Sequence, residues 1–132
     1  MKVLLINGSP RVDGVIALAL KELSDTLNRC DIETEIIHVG NKNIRGCIAC
    51  RSCKKTGKCV FDDCVNEIAF KLKDADGLVV GAPVYYGSAN STVVSLLTRL
   101  FYSINYDLSM KVGASVVSAR RSGCTATFDE LN

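Results

Sequence analysis

Lys2-Val3-Leu4-Leu5-Ile6-Asn7-Gly8-Ser9-Pro10-Arg11 is the stretch whose reading decides the fold. Val3 to Ile6 form an unbroken apolar block of strand formers, the pattern of a parallel strand covered on both faces. Asn7, Gly8, Ser9 and Pro10 are turn formers, and Ile16, Leu20, Leu23 and Leu27 follow at helical spacing. The chain therefore runs strand, loop, helix, which opens an α/β sheet whose ligands sit at the carboxyl ends of the strands. The loop chemistry is that of an anion site. Gly8 permits a sharp turn, Ser9 offers a hydroxyl, Arg11 a fixed positive charge, and the helix start unpaired N–H groups. The spacing is neither that of a P-loop nor G-x-G-x-x-G. An ordinary strand-to-helix loop with a capping serine accounts for the same residues.

The rest of the chain bounds what this loop can serve. With 132 residues, 48% of them hydrophobic, and a mean hydropathy of +0.20, the sequence predicts one domain over 1–132 with a sizeable core. No apolar run reaches transmembrane length, and Met1-Lys2 leads into a strand without signal-peptide features, so a cytoplasmic protein away from membranes is expected. The net charge of +2 and the dispersed basic residues argue against nucleic acid as a partner. Seven cysteines, an odd number without an export signal, point to metal binding or thiol chemistry rather than a secreted disulfide framework.

Further along, the first helix should end near Asn28 to Asp31, and Glu33 to Val39 reads as a second strand. His38, the only histidine, is read as a surface residue. Periodicity then disappears over 44–64, a cysteine-rich insertion of the long kind that usually carries function. Asp62 or Asp63 caps a helix bearing Val65, Ile68, Ala69 and Leu72, and Gly77 to Ala82 forms a third strand. Pro83-Val84-Tyr85-Tyr86-Gly87-Ser88 follows it, where adjacent tyrosines can wall a flat aromatic ligand. Val93, Leu96, Leu97, Leu100 and Phe101 mark a helix begun by Ser88 or Ser91. Val112 to Ser118 is a fourth strand with a polar loop to Thr125, and Thr127-x-x-Glu130 has the spacing of a capping box at the start of a last helix. The alternation calls for a fifth strand that this sequence does not supply, so either the sequence is a truncated version or the fourth strand forms the sheet edge, covered by another element.

The insertion has its own chemistry. Cys47, Cys50, Cys53 and Cys59 are spaced C-x2-C-x2-C-x5-C, so consecutive sulfurs can converge on one small object, and the fourth can close the set on a single four-iron cluster. Structural zinc competes for four thiols, although zinc ribbons separate two C-x2-C knuckles by a longer spacer. Reactive thiols compete too, since Arg45, Arg51, Lys54 and Lys55 would favour thiolates. Cys30, Cys64 and Cys124 fall outside the pattern and are read as small half-buried side chains, with Cys64 near enough to substitute as a ligand.

Together NGSPR, PVYYGS and SARRSG resemble the loops of the flavodoxin-like NADPH-dependent FMN reductases, and GCIACRSCKKTGKCVFDD resembles the cluster loop of the iron-sulfur flavoprotein branch. The resemblance implies an open parallel α/β sheet with helices on both faces, lacking here its fifth strand. It places the FMN phosphate at Ser9 and Arg11. That family continues with Gly-Asn-Thr where this chain has Gly14-Val15-Ile16, so Val15 and Ile16 would contribute backbone N–H groups alone, or FMN would be held more weakly. Pro83, Val84, Tyr85, Tyr86 and Gly87 would surround the isoalloxazine and ribityl chain, while Ser118, Arg120, Arg121 and Gly123 border the flavin from the other side. Cys47, Cys50, Cys53 and Cys59 would hold a 4Fe-4S cluster. The implied activity is electron transfer from NAD(P)H or a small reduced iron-sulfur protein, in a homodimer or homotetramer. No Ser-His-Asp or Cys-His set is present, and no side chain is expected as nucleophile or general base. The competing reading is a truncated, cofactor-poor domain serving as a thiol redox or binding module.

Overall fold

A computed structural model describes residues 1–132. The elements in order are β1 (Lys2–Asn7), α1 (Val15–Arg29), β2 (Glu33–His38), α2 (Ser52–Thr56), α3 (Cys64–Asp74), β3 (Gly77–Tyr85), β4 (Ser88–Ala89), α4 (Ser91–Ser103), β5 (Val112–Ser118) and α5 (Cys124–Leu131). Four strands form a parallel sheet in the order β2-β1-β3-β5, with Leu5 opposite Ile36 and Val79, and Val79 opposite Ala114. This is the flavodoxin-like strand order up to its fourth member. The two-residue β4 folds back antiparallel on the end of β3, pairing Val84 with Ala89 and Tyr85 with Ser88.

The strand pleat sorts side chains onto two faces. Leu4, Ile6, Leu78, Val80 and Ala82 join Val65, Ile68 and Leu72 of α3 and Val93, Leu96 and Leu100 of α4 in the larger core. Leu5 and Val79 point the opposite way, against Ile16 and Leu20 of α1. Each fully buried Leu contributes roughly 1.5–3 kcal/mol. Helices thus cover both faces, as the continuous apolar strands required. β1 and β3, the central pair, carry the loops after Asn7 and Tyr85, β3 running three residues past the expected Ala82 because Val84 and Tyr85 pair with β4, and this is the switch point where such sheets bind ligands.

β5 is the sheet edge. Its first three residues are exposed, and beside it lies an apolar groove of about 320 Å³ whose walls include Leu97, Leu108, Val112 and Leu131.

Three local expectations are corrected. The last helix begins at Cys124 behind Gly123, so Thr127 and Glu130 form no capping box. Thr127 is fully buried, and Glu130 instead accepts hydrogen bonds from Ser88 Oγ at 2.7 Å and Ala89 N at 3.0 Å. A tertiary partner outcompeted the local cap. Residues 44–64 contain the one-turn helix α2, too short for periodicity to reveal. His38 is half-buried, its Nε2 donating to the Ser9 carbonyl at 2.7 Å. Asp63 does cap α3, accepting from Val65 N at 3.1 Å.

Candidate functional site

Three loops meet at the carboxyl ends of β1, β3 and β5 and enclose an open cleft of about 570 Å³. The first supplies Ser9 and Arg11, the second Pro83, Val84 and Tyr85, and the third Ser118, Ala119 and Arg120; Gly14, Val15 and Ile16 form the floor at the start of α1. Its size is that of a cofactor site.

The first loop is held rigidly. Gly8 N donates to Gly81 O at 2.8 Å, and Asn90 Nδ2, buried at the start of α4, donates to Gly8 O at 2.9 Å. Ser9 N donates to Asn7 Oδ1 at 3.0 Å, and Arg11 N donates to Ser9 Oγ at 3.2 Å, leaving the Ser9 hydroxyl proton free for a ligand. The His38 bond to the Ser9 carbonyl closes the loop from the β2 side, and because a carbonyl only accepts, that ring carries its proton on Nε2.

Behind the loop, α1 presents a bare N-terminus. Gly14 is its N-cap, no side chain caps it, and its first turn has no acidic residue. The first helical bond runs from Leu18 N to Gly14 O, so the N–H groups of Val15, Ile16 and Ala17 have no backbone acceptor. Arg11 and Arg120, exposed on the rim, pair with no carboxylate. Unpaired N–H groups, a helix dipole and the unneutralised guanidinium of Arg11 form one anion-attracting end. The side chain of Ile16 turns away and is buried against β3, at a spot where a Cβ on Gly81 would come within 2.6 Å of it.

The second and third loops line the rest of the cleft. Val84 and Tyr85 stand on one side, with Tyr85 half exposed, and Ser118 to Arg120 on the other. Four expected residues do not line it. Tyr86 is fully exposed at φ 48° and lines a shallow pocket with Ser88, Ser91 and Val94. Gly87 and Gly123 fasten the second loop to the third. At φ 96°, Gly123 sits where a Cβ would come within 2.9 Å of Val84 Cγ1 and 3.0 Å of Gly87 Cα. Arg121 is exposed outside the cleft.

The cysteines occupy a separate place. Cys47, Cys50, Cys53 and Cys59 all line one small cavity of about 20 Å³, room for about one water molecule, with Ile48, Val60, Phe61 and Arg99 around them. Cys47 and Cys50 are exposed, Cys53 is buried and Cys59 half-buried. No three of these sulfurs lie close enough to share a single metal ion. Ala49 and Arg51 adopt the left-handed conformation at φ 54° and 59°, which turns the backbone sharply between the first three cysteines. Ala49 N donates to Cys47 Sγ at 3.4 Å. Asn66 of α3 fastens the far end, accepting from Cys59 N at 2.8 Å and donating to the Cys59 and Phe61 carbonyls at 3.0 Å. All seven cysteines are free thiols. Cys30 is exposed and Cys124 half-buried; burial pushes the half-buried Cys64 thiol above its ordinary value, helped by Asp63.

Sequence reasoning missed Arg99. It lies on α4 three residues after Leu96 and four before Ser103, both buried, and is itself only 1% exposed. A lone guanidinium at that spacing was the available signal. Burial works against its charge, but hydrogen bonds to Asp63 and Cys59 outweigh that and raise its pKa further. Asn90 was also missed and Glu130 was read only as part of a local cap, because their partners are 82 and 41 to 42 residues away in sequence.

A parallel α/β sheet whose central loops enclose a cleft with an uncapped helix N-terminus at one end has the architecture of a flavodoxin-like domain. The chain belongs to the NADPH-dependent FMN reductase family, which it matches over residues 1–132, and is accordingly an FMN-binding oxidoreductase. It is 41% identical, over its whole length and 70% of the relative's, to an iron-sulfur flavoprotein of Methanocaldococcus jannaschii. An iron-sulfur flavoprotein of Methanosarcina thermophila is 34% identical over all of this chain and 71% of its own. Among solved structures, RosB with a bound formylated riboflavin phosphate intermediate superposes with a TM-score of 0.76 at 16% identity, over 98% of this chain and 56% of RosB. The NAD(P)H:quinone oxidoreductase of Methanothermobacter marburgensis gives a TM-score of 0.72 at 15% identity, over 92% of this chain and 68% of that one. The chain thus spans about 70% of those two relatives and little more than half of RosB. No helix is long and apolar enough to cross a membrane.

Proposed function

We propose that this chain holds FMN in the three-loop cleft and passes electrons between an external donor and a four-iron cluster on Cys47, Cys50, Cys53 and Cys59. The observation that carries the first half is that the uncapped N-terminus of α1, with Arg11 beside it, opens into the same cleft as the half-exposed Tyr85. Ser9, Arg11 and the N–H groups of Val15 and Ile16 take the phosphate. Pro83, Val84 and Tyr85 face one side of the ring system and Ser118 to Arg120 the other, with Tyr86 and Gly87 shaping the second loop and Gly123 and Arg121 the third. FMN supplies hydride acceptance and single-electron release, and a cluster takes electrons one at a time. The chain's own residues bind and orient: the first loop fixes the phosphate, the half-exposed Tyr85 limits water at the ring, and Arg120 offsets negative charge on it.

The donor set suits a cluster by its chemistry, since four thiolates are the ligands such clusters use. Four thiols face one cavity, two of them open to solvent, while a buried guanidinium donates to the fourth sulfur. The names of the archaeal relatives support the same reading. Seven free thiols suit a reducing cytoplasm. NAD(P)H or a small reduced iron-sulfur protein is the donor we favour, and a homodimer or homotetramer would cover the β5 edge.

Titrating flavin-free protein with FMN and with riboflavin tests the cleft. FMN should bind at least tenfold more tightly, since only FMN reaches the anion end; equal affinities would overturn the assignment. Anaerobic mixing with NADPH, NADH or a reduced ferredoxin then identifies the donor by flavin bleaching. A folded protein that takes up no flavin would turn the reading to a cofactor-free thiol module.

A further inference from the structure

Arg99 is the one charged side chain wholly inside this molecule, and its contacts are shared between the cysteine loop and two helices. Its Nε and Nη2 lie 3.3 and 3.2 Å from Cys59 Sγ, placing two N–H donors on one sulfur. Nη1 and Nη2 also donate to the two carboxylate oxygens of Asp63 at 2.6 and 2.9 Å, and Nη1 reaches Arg45 O at 3.3 Å. The bidentate pair leaves the guanidinium no rotational freedom. Asp63 is in turn fixed as the N-cap of α3. Phe61 lies beneath both Arg99 and Arg45, at 5.0 and 4.7 Å from its ring centre, and closes the guanidinium off from water.

A buried positive charge is costly, and a structural role would be met by Asp63 alone. Aiming two of the five donors at a sulfur has a different consequence. We propose that Arg99 is the positioning residue of the cluster site: it fixes the Cys59 thiolate as fourth ligand and, through two N–H···S bonds and its charge, raises the cluster's reduction potential. This rests on the cluster reading above. Reduction adds negative charge to a cluster and its thiolates, so a fixed cation and hydrogen bonds to a ligand sulfur stabilise the reduced form more than the oxidised one. Cys47 and Cys50 are exposed, and Cys47 accepts only a backbone N–H, from Ala49 at 3.4 Å, so the cationic contact is concentrated on Cys59.

The test compares Arg99→Gln and Arg99→Lys with the wild-type chain, reconstituted without oxygen with ferrous iron, sulfide and FMN. Readouts are iron and acid-labile sulfide, the cluster midpoint potential from a dithionite titration followed by electron paramagnetic resonance, and FMN content as a check on fold. The FMN cleft shares no residue with the cysteine cavity, so a variant that fills with FMN has kept its sheet. For Arg99→Gln the inference expects a tenfold or greater fall in the equilibrium constant for one-electron reduction, about 59 mV. Arg99→Lys, which keeps the charge but loses the second donor, should fall between. Should Arg99→Gln be too unstable to isolate, the Arg99→Lys shift decides. FMN-filled variants whose clusters titrate at the wild-type potential would overturn the role of Arg99 and leave the cluster standing. Wild-type protein that fills with FMN but takes up no iron would overturn both.

Discussion

Gly40→Ala is the substitution whose outcome the geometry decides most sharply. Gly40 follows β2 and packs against the first cleft loop. A Cβ there would stand 2.0 Å from Ser9 O, 2.1 Å from Ser9 C and 2.6 Å from Gly8 O. All three are backbone atoms, so no rotamer change relieves the clash, and one strand end must move by more than an ångström. Ser9 O also accepts from His38 Nε2, and Gly8 is held by Gly81 O and Asn90, so moving the loop breaks bonds on three sides. Overpacking of this kind costs about 1–3 kcal/mol. Because the displaced atoms flank the phosphate position, the same shift should weaken FMN binding about tenfold for each 1.4 kcal/mol not relieved when the site empties. Gly46→Ala is the control, since a Cβ there meets nothing within 4 Å. Urea denaturation of the flavin-free forms and FMN titration by flavin fluorescence measure the two effects. Wild-type stability and affinity in Gly40→Ala would refute the account of how the loop is held.

Other outcomes follow from the same contacts. Arg11→Ala should weaken FMN about tenfold or more while leaving riboflavin affinity unchanged, because a charge-assisted phosphate contact is lost; isothermal titration with both ligands reads the difference. Glu130→Gln should loosen the second loop, lowering FMN affinity several-fold for about 1 kcal/mol of hydrogen bonding to Ser88 and Ala89, with the melting temperature falling alongside. Bonding to Lys71, reinforced by Lys2 and opposed by burial, holds the Glu35 carboxyl below its ordinary value of 4.5. Its folded pKa is the lower one, so its stabilisation is present above pH 4.5 and lost as pH falls through the folded value; Glu35→Gln should flatten that acid limb in denaturant titrations between pH 6 and 3, a range set by ordinary carboxylate pKa values of about 4.

The sheet was legible because its central strands β1 and β3 carry continuous apolar runs and turn formers follow the strands. Lys2–Asn7, Glu33–His38 and Val112–Ser118 appear within a residue of where the pattern places them, and β3 runs on through Pro83 into the site. The three loops were legible by position alone, as carboxyl ends of parallel strands. What no pattern could show was which residue of a loop faces inward. Tyr85 and Tyr86 are adjacent and alike, yet the left-handed backbone at Tyr86 sends that ring out to solvent. Thr127 and Glu130 matched a local motif but were taken by burial and by the distant Ser88. Arg99 could be flagged only as a charge on a helix that buries the residues around it; its partners Asp63 and Cys59 stand 36 and 40 residues away.

The measurement that tests the central claim most directly is a visible absorption spectrum of protein purified without oxygen, before and after dithionite, with FMN, iron and sulfide assayed on the same sample. The account predicts flavin bands over a broad absorbance that bleaches, with one FMN and about four iron and four sulfide per chain. A folded, colourless protein, or flavin without iron and sulfide, would contradict it.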